Sequence, residues 1–153
     1  MIQRIQSLFL LFAFAFQIVM LFFPIAVYVL PDKNIIILSA SGFKPDYILN
    51  EKLYLISITY ILISIIAFLL LLSIFLYKNR GLQMRFCIFN TVLLIVIQLF
   101  IFWYAWYAGQ KLESITNYKL PVVFPVVSAV LTFLAFRSIK KDDKLVRSVD
   151  RIR

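Results

Sequence analysis

The sequence predicts an all-α polytopic membrane protein: a bundle of four transmembrane helices, N-in and C-in, followed by a basic amphipathic C-terminal helix. Of its 153 residues, 63% are apolar or aromatic and only 15% are charged, whereas soluble domains average about 45–50% and about 25%. Four segments approach the roughly 20 apolar residues that a helix needs to cross a bilayer. The 16 Lys and Arg also outnumber the 7 Asp and Glu, and their distribution between the segments orients the chain.

The four spans make up a predicted transmembrane domain over residues 1–136. They cover about 5–30, 53–76, 86–107 and 120–136, with outer loops 31–52 and 108–119 and an inner loop 77–85. The first apolar run is longer than the hydrophobic region of a signal peptide, which has roughly 7–15 residues, so an uncleaved span is expected. The fourth is at the short limit, and a snorkelling Arg137 would lengthen it.

The basic residues predict the orientation, because Lys and Arg concentrate in cytoplasmic loops. Eleven fall on one side and five on the other, giving net charges of +8 and +1. The richer side contains Arg4, Lys78, Arg80, Arg85, Arg137, Lys140, Lys141, Lys144, Arg147, Arg151 and Arg153. Both termini are therefore expected in the cytoplasm, which agrees with the requirement that an even number of spans leaves the two termini on the same side.

The outer side shows two further patterns. Trp103, Tyr104, Trp106 and Tyr107 cluster at the end of span three, and Tyr28 lies at the end of span one, which is typical of an interfacial aromatic belt. The run 35–38 followed by Ser and Gly predicts a strand that pairs with 114–118 as a two-stranded cap. The alternative is that 35–38 lies as loose chain in the interface.

Span four contains a small-residue stripe and two prolines. Ser128, Thr132 and Ala135 are spaced for close packing on a neighbouring helix, in this bundle or in a partner. Pro121 suits a first helical turn, and Pro125 is expected to bend the helix near its outer end.

The tail, residues 137–153, predicts a helix with one apolar face, because its apolar positions from Leu145 onward step by three or four. Its basic residues favour binding to anionic lipid headgroups. Three acids, Asp142, Asp143 and Asp150, indicate specific ion pairs in addition. Nucleic-acid binding is disfavoured, since the basicity is accounted for by membrane topology.

Several function classes are excluded by missing residue types. The chain has no His and one Cys, Cys87, so an intrachain disulfide, a His/Cys metal site and a His-dependent triad are all excluded. No Asp, Glu, His, Lys or Arg lies inside a predicted span, which disfavours proton- or cation-coupled transport. We therefore expect no catalytic residue, no cofactor and no metal. The intramembrane candidates are the amides Gln17, Asn90 and Gln98, for which helix packing is favoured over ligand contact.

Three short motifs resemble an uncharacterised bacterial membrane family, the domain-of-unknown-function family 4293. They are the opening MIQRIQSL (1–8), the inner loop LYKNR (76–80) with Gln83, Arg85 and Cys87, and the tail IKKDDKLVRSVDRIR (139–153). The resemblance implies a four-span protein of the bacterial inner membrane. It implies no activity.

All three motifs fall on the predicted cytoplasmic side, where they are close enough to meet. We hypothesise a cytoplasmic clasp in which tail aspartates pair with arginines of the first span and the inner loop. Its candidate residues are Arg4, Arg80, Arg85, Asp142, Asp143, Arg147 and Asp150. The alternative is a solvated basic fringe.

The sequence leaves two function hypotheses. The first is a non-catalytic accessory subunit or assembly factor with a membrane-protein partner, because catalytic groups are missing and the loops are short. The second is a carrier or channel for a neutral or amphipathic solute or lipid that uses the three amides as polar contacts.

Overall fold

The computed structural model describes residues 3–31, 34–44 and 55–150. It contains four long helices: α1 (Gln3–Phe22), α2 (Leu55–Phe75), α3 (Arg80–Lys111) and α4 (Phe124–Asp150). It also contains four strands: β1 (Pro24–Val29), β2 (Ile35–Ser39), β3 (Gly42–Lys44) and β4 (Ile115–Tyr118). Each helix is long and apolar enough to cross a membrane, which confirms the prediction of four apolar helical segments.

The helices form a closed ring. α1 packs against α2 and α4, and α3 packs against the same two helices. Leu10, Leu70, Leu94 and Ile139 are fully or almost fully buried in its core. Large apolar side chains such as Leu99 stay exposed on the outside, as expected for surfaces that face lipid.

A small antiparallel sheet at one end of the ring, here called the sheet end, corrects the all-α prediction. Its strand order is β3-β2-β1-β4, so β1 is central. β1 consists of residues assigned from sequence to the first span, which therefore ends at Phe22 and not at residue 30. The predicted pairing of 35–38 with 114–118 is also wrong, because β2 and β4 lie on opposite sides of β1.

Pro24 explains why α1 gives way to a strand. Proline lacks the N–H that a helix interior requires and disfavours helical geometry in the residue before it. The run Ile25–Val29 that follows is rich in β-branched and aromatic residues, which fit a strand. A 20-residue α1 already covers the thickness of a bilayer core.

The remaining boundaries also differ from the prediction. The inner loop shrinks to a 3-10 turn at Leu76–Lys78 and Asn79, since α3 begins at Arg80. The tail is not a separate helix but continues α4 through Arg137 to Asp150. Pro125 lies in the first turn of α4, where its missing N–H has no intrahelical partner to lose, and a bend at this residue stays a prediction. The start predicted for span two, residue 53, lies outside the described residues.

Tyr28 anchors the sheet to α3 and is not part of an exposed aromatic belt. Its side chain is fully buried, and its hydroxyl donates to the backbone oxygen of Ala105 over 3.0 Å. The ring of Phe43 lies between the rings of Tyr28 and Tyr104, with centroids 6.0 and 6.3 Å away. Burial, with a smaller effect from Tyr118, raises the pKa of Tyr28 above its usual range, so the neutral hydroxyl that makes this bond is favoured.

Gly109 lets β4 approach the end of α3. A Cβ built on Gly109 would overlap Thr116 Oγ1 and lie 3.7 Å from the Tyr28 ring. Thr116 is β-branched, so its hydroxyl cannot swing away freely. The absence of a side chain at position 109 is therefore a requirement of the sheet's position.

We expect Gly109→Ala to lower the free energy of unfolding by about 1–3 kcal/mol, because overpacking forces the strand or the helix to shift. Thermal unfolding of the detergent-solubilised protein measures this. Gly81→Ala is the matched control, since nothing lies within 4 Å of a Cβ there; it should leave stability unchanged or raise it by up to about 1 kcal/mol. Adding Thr116→Ala to Gly109→Ala should restore much of the lost stability. Equal stability of Gly109→Ala and Gly81→Ala would show that position 109 does not require glycine.

Candidate functional site

At the end of the ring opposite the sheet, here called the tail end, a buried polar contact joins α1 to α4. Nε2 of Gln6, in the second turn of α1, donates a hydrogen bond to a carboxylate oxygen of Asp142, in the tail part of α4. The two side chains are only 5% and 9% exposed. Next to them Ile139 is 1% exposed, so the tail packs under the ring at least as far as Asp142.

Of the predicted clasp residues, Asp142 contacts α1, and its partner there is the amide of Gln6. Asp143 and Arg80 are half-buried, and Arg85 is exposed. The side chains of Arg4, Arg147 and Asp150 lie outside the description. Pairing of the tail aspartates with arginines stays a prediction.

Gln6 was missed as the partner of Asp142, although the sequence contains a signal for it. Gln6, Leu10, Ala13, Gln17 and Met20 are all buried, and their spacing of four and three residues defines one face of a helix. A glutamine on the buried face of a membrane helix needs a partner within the protein. The prediction paired the tail aspartates with arginines instead, because their charges are opposite.

The second polar contact joins α1 to α4 nearer the sheet end. Nε2 of Gln17 donates to Ser128 Oγ over 2.9 Å, and that hydroxyl donates to the backbone oxygen of Ala13 over 3.2 Å. Thr132 Oγ1 bonds back to the oxygen of Ser128 within α4. The small-residue stripe of span four thus packs on α1 within this bundle, one of the two predicted alternatives.

The third polar contact joins α2 to α3. Nδ2 of Asn90 donates to Ser73 Oγ over 3.2 Å, and Nε2 of Gln83 donates to the backbone oxygen of Ser73 over 3.0 Å. Ser73 Oγ in turn donates to Leu69 within α2. All three side chains are buried, so the contact holds the two helices together near their tight connection.

The three predicted intramembrane amides share a property that these contacts do not account for. The side-chain oxygens of Gln17, Asn90 and Gln98 are buried and have no hydrogen-bond partner among the described residues. Each amide can accept as well as donate. Gln17 lies on α1, and Asn90 and Gln98 lie on α3. Gln17 contacts Ser128 and Asn90 contacts Ser73, so these two amides do not share a site.

We expect Asp142→Leu to lower the free energy of unfolding by about 1–3 kcal/mol, because it leaves the buried amide of Gln6 without its acceptor. Asp142→Asn keeps an acceptor of the same shape and should lose less. The exposed neighbour Lys141→Leu is the control, with a change within about 0.5 kcal/mol. Thermal unfolding in detergent distinguishes the three variants. An Asp142→Leu protein as stable as the parent would show that the Gln6–Asp142 contact does not stabilise the fold.

Comparison with known proteins adds one finding. No curated protein matches the chain. The family model described as Domain of unknown function (DUF4293) matches residues 2–152. The match includes residues 2–8 of the opening motif, the inner-loop motif at the tight α2–α3 connection, and the tail motif as far as residue 152. The chain therefore belongs to this family, DUF4293.

Proposed function

We propose that this protein is a non-catalytic accessory subunit or assembly factor of a larger complex in the bacterial inner membrane, with both termini cytoplasmic. The observation that carries the proposal is the buried Gln6–Asp142 contact. A tail that only coated lipid would gain nothing from a buried hydrogen bond to the first helix. A tail that presents a surface to a partner benefits from being fixed.

The surface that the contact fixes is basic with an apolar part. Among the side chains that the structure describes between Ile139 and residue 146, the exposed ones are Lys140, Lys141, Lys144, Leu145 and Val146. Because α4 is one continuous helix, this surface is rigidly connected to the transmembrane part. Its chemistry suits an acidic surface of a membrane-protein partner, with anionic lipid headgroups around it.

The proposed orientation rests on the charge difference between the two ends, +8 against +1. Single cysteines test it in a Cys87→Ala background, with Ser41→Cys at the exposed β2–β3 turn and Lys141→Cys in the tail. In spheroplasts a membrane-impermeant thiol reagent should label position 41 directly and position 141 only after lysis. The reverse pattern would invert the orientation.

A carrier or channel for a neutral or amphipathic solute or lipid is the second candidate. It is favoured by the unpartnered oxygens of Gln17, Asn90 and Gln98, which leave acceptors inside the membrane-spanning helices. Such acceptors suit a ligand that donates hydrogen bonds and carries no net charge.

One experiment with two arms separates the candidates. The first arm solubilises membranes of the native bacterium in mild detergent and purifies the chain through a tag at the β2–β3 turn. An accessory subunit should co-purify with one partner in fixed stoichiometry. The second arm reconstitutes the purified chain alone in liposomes, where only a carrier or channel should release a trapped neutral solute.

Matched double variants make the first arm specific. Lys141→Gln with Lys144→Gln removes two exposed charges from the tail, and Lys111→Gln with Lys119→Gln removes two exposed charges from the sheet end. We expect the first pair to reduce the co-purified partner severalfold and the second pair to leave it unchanged. Equal retention in both would contradict docking on the tail.

A further inference from the structure

A pocket of about 260 Å³ opens at the sheet end, between the last turns of α3 and strand β4. It is lined by Trp106, Gly109, Gln110, Glu113, Ser114 and Thr116. The pocket is smaller than the roughly 300–1,000 Å³ typical of sites for drug-sized ligands. It therefore suits a small polar group.

The backbone at Glu113 is unusual for a glutamate. Its φ is 46°, in the left-handed region, and it follows the C-cap of α3. The N–H of Glu113 bonds to the oxygen of Gln110, and the N–H of Ser114 bonds to the oxygen of Gly109, both over 3.3 Å. This is the Schellman arrangement, in which the left-handed position is usually glycine because other residues are strained there.

The charge of Glu113 is also unfavourable for the helix. A carboxylate after the C-terminus of a helix lies at the negative end of its dipole. Two features that oppose helix stability thus coincide at Glu113, which is the one acidic residue among the described residues that line this pocket. A bound cation would offset the second of these features, the unfavourable charge.

The rest of the lining specifies which cation. Ser114 Oγ is buried and has no hydrogen-bond partner among the described residues, and Gln110 and Thr116 provide further oxygens. The indole of Trp106 is 54% exposed beside them and offers a face for a cation–π contact. An alkylammonium has three N–H donors and one positive charge, whereas Ca²⁺ takes six to eight oxygen ligands and often more than one carboxylate.

We propose that this pocket binds a primary ammonium group, with Glu113 as its counter-ion and Trp106 as its aromatic wall. Trp103, Trp106 and Tyr107 are exposed at this end of α3, as amphipathic rings are at headgroup depth. The ammonium is therefore that of an ethanolamine phospholipid headgroup or of a free alkylamine.

The test uses the full chain in detergent micelles with Trp103→Phe, which leaves Trp106 as the only tryptophan. The probes are phosphatidylethanolamine, phosphatidylcholine, phosphatidylglycerol and free ethanolamine. Trp106 emission follows binding, and native mass spectrometry counts the bound lipid. We expect saturable binding of phosphatidylethanolamine, at least about tenfold tighter than phosphatidylcholine, whose quaternary ammonium has no N–H donor. If free ethanolamine binds as tightly as phosphatidylethanolamine, the ligand is a free amine. If only the lipid binds, the ligand is the lipid headgroup.

Two variants at position 113 separate binding from folding. Glu113→Gln should weaken phosphatidylethanolamine binding about tenfold. Glu113→Gly should abolish it while unfolding at the same temperature as the parent or higher, because glycine relaxes the left-handed backbone. Lys119→Gln is the control, because it changes the charge of the same loop by one unit at a residue that is not among those lining the pocket. It should bind phosphatidylethanolamine as tightly as the parent does. Equal binding of the three phospholipids, no binding, or unchanged binding by Glu113→Gly would overturn the proposal.

Discussion

Polar groups between membrane helices must find partners inside the protein, because hydrocarbon offers none. The contact of Gln17, Ser128 and Ala13 meets this requirement for the amide N–H of Gln17 and the hydroxyl of Ser128, at the seam between the first and last helices. Since Ser128 reaches a backbone oxygen, α1 and α4 must come close together, and the ring of four helices closes there. The contact of Asn90, Gln83 and Ser73 does the same between α2 and α3.

The same requirement positions the sheet. A strand has backbone groups that need lateral partners, so the outer edges of β3 and β4 cannot face hydrocarbon. The sheet therefore lies outside the hydrocarbon. α1 ends before the sheet begins, and the last turns of α3 lie next to the sheet. Tyr28 and Gly109 fix this geometry, the first by bonding to Ala105 and the second by admitting Thr116. Because the pocket at Glu113 is built on the same turns, its shape depends on the docking of the sheet.

Long apolar runs made the four helices predictable from the sequence, and the spacing of small residues made the α4 stripe predictable. The strand β1 was not predicted, because Ile25–Val29 is apolar enough to be taken for more helix and only Pro24 separates the two. Its neighbours could not be inferred either, since Ala26 pairs with Tyr118 and no local pattern encodes so distant a partner. At the tail end, charge drew attention to Arg80 and Arg85, while the described contact of Asp142 depends on the helical face of Gln6.

The position of β1 in the chain has a consequence for biogenesis. It leaves the ribosome directly after the first helix, yet one of its two neighbours, β4, is made only after α2 and α3 are complete. Until then one edge of β1 has no strand to pair with. The sheet is therefore completed only after α2 and α3 have been made. A nascent chain that stalls before Ile115 leaves one edge of β1 without a strand partner, the kind of edge that makes incomplete chains prone to aggregation.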